Sequence, residues 1–444
     1  MIDVEFFKRK YPLMDIQDIV KLYLQGILGP AHLMPAKDKM KFNLMREYEE
    51  CKNLNFEYDL FEDISEKYTR VYIKPYFDKV KSFDKLIEIF EKSIENELDI
   101  QGYKNIIKSL ITEENKDFIN EYLKSDSVLI SHSQRYKENY HPHYLVIKKE
   151  YKNEVLNMKS KVYFSSKITK ESVLNLYKIL GVKLKGNVAI KVHSGEPGNQ
   201  NFLKPDFWED IIHEVNGTVV ECNTAYEGKR NTTEKHLQTF KDHGWDIFPL
   251  DLLDAEGPDL VLDIPNGKVI KKNYVGKNIT KYDSMLVLSH FKGHPMGGYG
   301  GAIKQLSIGV ASSYGKAYIH GAGDPDKIWT ADHDLFLKSM ADAASSVVSY
   351  FKGNIVYINV MKNMSVDCDC CAVAEDPCIK DIGILISTDP IAIDQACIDL
   401  VYACDDEKKD HLIKRIESRN GILTIEASAE LGFGNREYEL IKVD

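Results

Sequence analysis

The sequence has no long hydrophobic run and no excess of positive charge. No stretch of its 444 residues approaches the roughly 18 consecutive apolar residues that a membrane-spanning helix needs. Acidic residues outnumber basic ones, 68 to 58, and the formal net charge of −10 argues against general binding to nucleic acids or membrane surfaces. Residues 1–10 include acidic side chains and no apolar core. We therefore expect no signal peptide and a cytoplasmic location.

Two common nucleotide-binding motifs are also missing. The glycine-rich stretch Gly297-Gly-Tyr-Gly-Gly-Ala-Ile-Lys304 lacks the Gly-Lys-Ser/Thr ending and the spacing of a P-loop, and it has no clean dinucleotide fingerprint. We find no internal repeat and no low-complexity tract. What is present, 43% hydrophobic and 28% charged residues, is typical of an ordinary globular protein, and the length predicts two or three domains.

Four of the eight cysteines are scattered, and we interpret these as small buried side chains. They are Cys51, Cys222, Cys397 and Cys404. The other four lie close together in Cys368-Asp-Cys-Cys-Ala-Val-Ala-Glu-Asp-Pro-Cys378. In a cytoplasmic chain such a cluster indicates metal or redox chemistry rather than a disulfide framework.

The clustered cysteines, Cys368, Cys370, Cys371 and Cys378, are candidate metal ligands. Their spacing is that of neither a zinc ribbon nor a ferredoxin. Soft thiolates would favour an iron–sulfur cluster, zinc or nickel, whereas the aspartates at positions 367 and 369 would suit a hard cation. A free-thiol or purely structural loop remains an alternative.

The pattern of apolar residues changes near residue 161. Helix-period apolar positions in residues 16–27 and 82–98 predict a mostly helical domain over residues 1–155. From Lys161 onward, apolar strands alternate with helices, which predicts an α/β region of mainly parallel sheets with flanking helices. We expect this region, residues 161–444, to form two lobes with a cleft.

The N-terminal part contains one group of polar residues with two interpretations. They form either a small polar site or unrelated surface positions in two loops. They are His32, Arg135, Tyr140, His141 and His143.

Three polar loops follow predicted strands of the α/β region: residues 193–200, 223–230 and 289–304. Because ligands bind beyond the carboxyl ends of strands in parallel sheets, we expect these loops to meet at one edge. Lys229 and Arg230 are candidate anion contacts. The candidate substrate-binding residues are His193, Asn223, Arg230, His290, Gly298 and Gly301.

The glycine-rich loop and the segment after it bring together His294, Lys304 and His320. A neutral imidazole is both a common metal ligand and a proton shuttle near neutral pH. A partly buried lysine can act as a nucleophile or a covalent tether. We expect these three side chains to share one cavity. The aspartates at positions 389 and 394 either orient such groups or cap helices.

Six ordered segments of the α/β region are similar to those of a known family. They are Val188-Ala-Ile-Lys, Ser289-His-Phe-Lys-Gly-His, Gly300-Gly-Ala-Ile-Lys, Gly309-Val-Ala-Ser, Asp367-Cys-Asp-Cys and Asp381-Ile-Gly-Ile-Leu-Ile-Ser-Thr-Asp-Pro-Ile-Ala-Ile-Asp. By these segments, residues 161–444 resemble the uncharacterised iron–sulfur-centre proteins of domain-of-unknown-function family 362 (DUF362). Many members carry a ferredoxin-type insert after the glycine-rich region; here Gly321-Ala-Gly-Asp-Pro-Asp-Lys-Ile-Trp stands instead, so the usual clusters should be absent.

A more distant resemblance is to the nickel-pincer lactate racemase family. Lys304 lies ten positions after His294 and sixteen before His320, which is similar to that family's spacing. The resemblance implies that Lys304 tethers a cofactor, that His320 is a metal ligand and that His294 transfers protons. The family's second catalytic histidine falls near Lys229 or Arg230 of this chain.

The sequence thus predicts an enzyme that depends on a metal or metal cluster and acts on a small polar or anionic substrate. Its catalytic residues would be His294, Lys304, His320 and Lys229. The cofactor would be an iron–sulfur cluster, nickel or another transition metal, held by the clustered cysteines and His320. The alternatives are a non-catalytic metal or iron–sulfur carrier and a ligand-binding regulatory module.

Overall fold

A computed structural model of the chain describes residues 44–45, 61–63, 68–80, 86–87, 89–90, 140–141, 144–151 and 159–444. The chain divides into two compact units, Met1–Met158 and Lys159–Asp444. Each unit is described by itself.

The described part of the first unit contains a four-stranded antiparallel sheet. Its strands are β1 (Phe61–Asp63), β2 (Tyr68–Tyr72), β3 (Tyr140–His141) and β4 (Tyr144–Lys148), in the order β1-β2-β4-β3. Of these, the sequence pattern indicates only the strand at Leu145-Val-Ile. Helix α1 spans Ile73–Val80. Residues 86, 87, 89 and 90 are helical and buried, as their spacing predicts. Residues 16–27 lie outside the described part, as do His32, Arg135 and His143.

The second unit contains twelve strands. They are β5 (Ser160–Ser165), β6 (Val188–Lys191), β7 (Thr218–Glu221), β8 (Leu250–Leu252), β9 (Leu260–Asp263), β10 (Lys272–Val275), β11 (Ser284–His290), β12 (Lys292–His294), β13 (Gly298–Gly300), β14 (Ile355–Met361), β15 (Gly383–Ser387) and β16 (Tyr438–Lys442). Strands β9 and β10 form one small hairpin, and β12 and β13 form another.

The remaining eight strands form one sheet in the order β16-β5-β15-β14-β11-β6-β7-β8. Five of the seven pairings are parallel; β15 runs antiparallel to both of its neighbours. Every residue of β11, β14 and β15 is buried, which explains why their sequences are continuous apolar runs rather than alternating ones. The predicted α/β class with a mainly parallel sheet is confirmed, and its division into two lobes stays a prediction.

Helices flank this sheet on both faces. Successive residues of β11 point to opposite faces, so Met285 and Val287 join one hydrophobic cluster, and Leu286 and Leu288 the other. The helices are α2 (Lys170–Leu180), α3 (Pro205–Val215), α4 (Thr233–Asp242), α5 (Ala302–Leu306), α6 (Ser313–His320), α7 (His333–Tyr350), α8 (Pro390–Ala403), α9 (Lys409–Ser418) and α10 (Ile422–Glu430).

Helix caps account for the ends of these helices. The sequence predicts a helix that begins after Thr169 and ends at Gly181, and the structure agrees: in α2 the Thr169 side chain accepts a hydrogen bond from the Ser172 N–H, and Gly181 ends the helix in the left-handed conformation. The pattern places the start of α8 at Asp394, but the helix begins at Pro390 because Asp389 caps it and proline fits its first turn. Among the described helices, none has both the length and the apolar content to cross a membrane.

Candidate active site

A cavity of about 390 Å³ lies at the carboxyl ends of β6, β7 and β11. This is the edge at which the polar loops of a parallel sheet are expected to meet. Its polar lining includes Lys191, His193, Glu221, Cys222, Thr224, Tyr226, Arg230, His290, Lys292, His294, Lys304, Gln305, Lys316, His320, Cys368 and Cys370.

The cavity brings together nine of the residues singled out from the sequence. His294, Lys304 and His320 lie in the same hollow, as the spacing argument requires. Their catalytic roles stay a prediction. The nine residues are His193, Arg230, His290, His294, Gly301, Lys304, His320, Cys368 and Cys370.

Other predicted residues lie outside the cavity. Lys229 is exposed, although its neighbour Arg230 is buried and lines the cavity. Asn223 is buried and donates a hydrogen bond to the Thr233 hydroxyl at 3.2 Å. Gly298 begins β13 and packs against Gly421.

Two of the four clustered cysteines also lie outside the lining. Cys371 follows Cys370 directly and is half-buried, and its pKa is lowered by a hydrogen bond with the Cys370 thiol. The Cys378 thiol donates to the Met364 carbonyl at 3.4 Å, and burial raises its pKa to about 11. The cysteine cluster is therefore split, with only Cys368 and Cys370 facing the cavity.

Three of the cavity's lysines form no ion pair within the described residues: Lys191, Lys304 and Lys316. The Lys191 ammonium donates to the Val192 carbonyl and, at 3.0 Å, to the Gln305 side-chain oxygen, both uncharged acceptors. Burial lowers the pKa of Lys191 to about 8. Lys316 donates to the Ala311 carbonyl at 2.6 Å. Among the described residues, no carboxylate therefore lies within ion-pair distance of these three ammonium groups.

The buried guanidinium of Arg230 is held by two carboxylates. Its Nε donates to Glu196 at 2.8 Å and its terminal nitrogen donates to Glu221 at 3.0 Å. Although burial raises the pKa of Glu221, His236 and Arg230 outweigh it and hold that pKa well below the usual value. Glu221 is the one carboxylate among the described residues that line the cavity, and it already bonds to Arg230 and His236.

A second buried network holds the cysteine loop. Asp369, between the two cavity cysteines, accepts from His290 Nδ1 at 2.9 Å and from the Lys292 ammonium at 2.7 Å. His290 Nε2 faces a second oxygen, the Lys362 carbonyl, so each ring nitrogen has a hydrogen-bond partner. Burial raises the pKa of Asp369, but His290 and Lys292 outweigh it and keep the pKa well below its usual value.

His320 presents a free ring nitrogen to the cavity. Its Nδ1 donates to the Lys316 carbonyl at 2.8 Å, and the ring stacks on Phe336. With the proton on Nδ1, Nε2 keeps its lone pair. Burial, helped by Lys304, lowers the pKa of His320 to about 4. The ring is therefore neutral near neutral pH and able to accept a proton or bind a metal.

Three potential ligand atoms of His294, Cys368 and Cys370 lie within 4.8 Å of one another. A single soft metal ion, with bonds of roughly 2.0–2.3 Å to nitrogen and sulfur, fits such a group. The Cys368 pKa is raised by the Cys370 hydrogen bond and by burial. The hydrogen bond with Cys368 lowers the Cys370 pKa, but Cys371 and burial outweigh it. Metal binding would therefore release these thiol protons.

The segment that stands in place of the ferredoxin-type insert contributes Ile328 and Trp329 to the cavity wall. Trp329 is 67% exposed. An exposed tryptophan at the wall of a cavity offers an apolar face to a bound molecule.

Lys191, Lys316, Glu221 and Lys292 also belong to the site, and sequence reasoning missed them. The signal for two of them is present in the sequence. Lys191 and Glu221 each end an otherwise apolar strand, Val188-Ala-Ile-Lys and Thr218-Val-Val-Glu. A charged residue at the carboxyl end of a buried parallel strand points to a ligand site.

One comparison with known proteins, the family match, agrees with the resemblance seen in the motifs. Residues 188–399 match the family described as Domain of unknown function (DUF362). No curated protein matches the sequence. The lactate racemase apoprotein from Thermoanaerobacterium thermosaccharolyticum is 17% identical, with a TM-score of 0.32 over 50% of this chain and 54% of that one. A Thermotoga maritima protein, a structural genomics target, is 10% identical, with a TM-score of 0.28 over 59% and 58%.

The chain spans little more than half the length of either structure. The family match is different, because it covers every cavity-lining residue from Lys191 to Cys370. The predicted family resemblance is confirmed over that segment: residues 188–399 match the model of the DUF362 family.

Proposed function

We propose that the protein is an enzyme that binds a small anionic substrate in this cavity, beside a soft metal held by Cys368 and Cys370. One observation carries the proposal: Lys191, Lys304 and Lys316 line the cavity, and none of them pairs with a carboxylate of the described residues. An unpaired buried charge is costly, and folding alone gives no reason to place the buried Lys191 and Lys316 and the half-buried Lys304 around one cavity. An anionic ligand would balance them.

The charge distribution supports an anion rather than a neutral ligand. The whole chain carries a formal charge of −10, yet five cationic side chains and one carboxylate line the cavity. A positive pocket with low-dielectric walls focuses the field and attracts anions even to an acidic protein. The volume, about 390 Å³, is at the small end of the roughly 300–1,000 Å³ of ligand pockets.

The residues around the cavity also supply proton chemistry. His320 Nε2 holds a lone pair and acts as the base toward a bound anion, since its Nδ1 is committed to the Lys316 carbonyl. Lys304 lines the same cavity and lowers the pKa of both His294 and His320. A bound anion would thus be held by lysines with a neutral imidazole beside it.

Cys368 and Cys370 would hold the metal through sulfur, on the wall of the cavity. When bound, such a metal supplies a Lewis acid or an electron carrier. Asp369, bonded to His290 and Lys292, fixes the backbone between the two thiols. The chain's own contribution is therefore orientation of the thiols and capture of the anion next to them.

Anion binding is tested by calorimetry and thermal unfolding with inorganic phosphate, pyruvate and oxalate. A ligand at 100 times its Kd stabilises the folded protein by about 2.7 kcal/mol. Lys304→Ala should weaken binding at least about tenfold, because it removes a charged contact. Lys229→Ala is the matched control, since Lys229 is exposed and outside the cavity. No stabilisation by any anion, or equal effects of the two variants, would contradict the proposal.

The metal is tested by elemental mass spectrometry after anaerobic purification. Wild-type protein should contain a transition metal, and Cys368→Ser and Cys370→Ser should lose it. Cys404→Ser is the control, because that thiol donates to the Val401 carbonyl outside the cavity. Metal-free wild-type protein would remove this part of the proposal. A metal carrier would need the thiols but not Lys304, so its metal transfer would survive Lys304→Ala.

A further inference from the structure

His294 meets the two thiols in a fixed orientation. Its Nδ1 accepts hydrogen bonds from the backbone N–H of Met296 at 3.1 Å and of Gly297 at 2.8 Å. A nitrogen that accepts hydrogen bonds carries no proton. The neutral ring therefore keeps its proton on the other nitrogen, Nε2.

The surrounding structure fixes this assignment. Turning the ring over would put a carbon where Nδ1 stands and remove both hydrogen bonds. A second proton, on Nδ1, would break the same two bonds. The turn that supplies the donors lies within the β12–β13 hairpin.

The protonated Nε2 faces sulfur. It lies 3.9 Å from Cys370 Sγ, and one ring nitrogen of His294 lies within 4.8 Å of both cavity thiols. A metal bound through Nε2 would need a lone pair there, which this tautomer does not have. His320 is the opposite case, since its Nδ1 donates to the Lys316 carbonyl and leaves Nε2 free. The same cavity thus contains one imidazole that can only donate from Nε2 and one that can accept.

We infer that His294 is a hydrogen-bond donor from Nε2 to the thiolates of Cys368 and Cys370, and is not a ligand of the metal that they hold. The inference rests on the proposed metal centre. A metal-bound thiolate keeps negative charge and lone pairs, so it accepts an N–H hydrogen bond. The donor stabilises the thiolates without occupying a coordination position. His294 is therefore a positioning residue for the centre.

Cobalt binding to the purified, reduced protein tests the inference, using two substitutions at the same position. His294→Gln keeps a side-chain N–H donor but no imidazole, whereas His294→Ala keeps neither. We expect His294→Gln to bind Co²⁺ within about threefold of wild type, and His294→Ala to bind about 10–100-fold more weakly, the usual effect of losing such a partner. The sulfur-to-cobalt absorption band and the sulfur count from X-ray absorption should be the same in all three.

Two results would overturn the inference. Equal weakening by both substitutions, or an imidazole signal in wild type that both variants lack, would make His294 a ligand. If wild-type protein binds no cobalt, both the proposed metal centre and the inference about His294 are wrong. Anion binding at the lysines is tested separately and does not depend on that result. Cys370→Ser should lose the sulfur band, and His213→Ala, which removes an exposed histidine, should change nothing.

Discussion

The carboxylate of Asp394 lies against the backbone of Gly301, where a Cβ would come within 2.4 Å of its Oδ1. In this position the carboxylate accepts hydrogen bonds from the backbone N–H groups of Ala302 at 2.7 Å and Ile303 at 3.0 Å, the first residues of α5. The same helix carries Lys304 into the cavity. The missing side chain at Gly301 and the buried acid together set the position of that lysine.

Gly301→Ala should therefore destabilise the protein by about 1–3 kcal/mol, the usual cost of overpacking. The added methyl group must displace Asp394, which also bonds to Asn359 at 2.7 Å, so the cap of α5 is lost. Urea unfolding measures the effect. Gly300→Ala is the control, because a Cβ there meets nothing closer than 3.7 Å. Equal stability of the two variants would show that the carboxylate does not hold α5.

Arg230→Met should cost about 3–5 kcal/mol, because it leaves Glu196 and Glu221 buried without their cation. The guanidinium is almost fully buried, so water cannot replace it. The neighbouring Lys229→Met should change stability by less than about 0.5 kcal/mol, since that side chain is exposed. Chemical denaturation of both variants makes the comparison. Similar losses at the two positions would contradict a buried ion network.

Much of the second unit's fold follows from its sequence, because the signals are local and strong. The apolar runs of β11 and β14 are buried on both faces, and Thr169 and Gly181 bound α2 as predicted. The short strands of the first unit were missed for the opposite reason. In β2, the sequence Tyr-Thr-Arg-Val-Tyr mixes polar and apolar residues and pairs only with other short strands.

The site is only partly predictable from the sequence, because no local pattern shows the order of the strands in the sheet. The loops after the strands are expected to meet, but no local sequence pattern predicts that β11 and β14 are neighbours. That pairing brings His294 to Cys370, 76 positions later. Lys191 was overlooked because one lysine at the end of an apolar strand looks like an ordinary boundary residue. Its role depends on its neighbours in the folded protein, Lys316 and Gln305, which come from distant parts of the chain.

Gly293→Ala should separate the cysteine loop from His294. The Gly293 N–H donates to the Ser365 carbonyl at 2.8 Å, and a Cβ at Gly293 would lie 2.4 Å from the Val366 carbonyl oxygen. Because backbone cannot yield as a side-chain tip does, the loop must move, and we expect cobalt affinity to fall at least about tenfold. Gly297→Ala is the control, since its Cβ contacts begin at 3.4 Å. Unchanged cobalt binding by Gly293→Ala would show that the loop does not depend on this contact.

Anion affinity should fall as the pH rises through about 8, where Lys191 loses its proton because burial lowers its pKa. Sulfate is the suitable probe, since its own charge is constant there. Between about pH 7 and about pH 9 its affinity should drop roughly tenfold, the value of one charged hydrogen bond. Lys191→Met should bind sulfate weakly at both pH values and show no step.

The lowered pKa of Lys191 also makes the free energy of unfolding depend on pH. The unfolded chain keeps the ordinary lysine value of 10.5, so from about 8 to 10.5 it binds more protons than the folded protein. The contribution of Lys191 to folding stability therefore rises with pH in that window, while sulfate binding weakens. Denaturant unfolding across the window should show that the stability of wild type rises relative to that of Lys191→Met, and calorimetry should show that sulfate affinity falls in wild type but not in Lys191→Met. A wild-type sulfate affinity that stays flat through pH 8 would mean that Lys191 does not contact the anion.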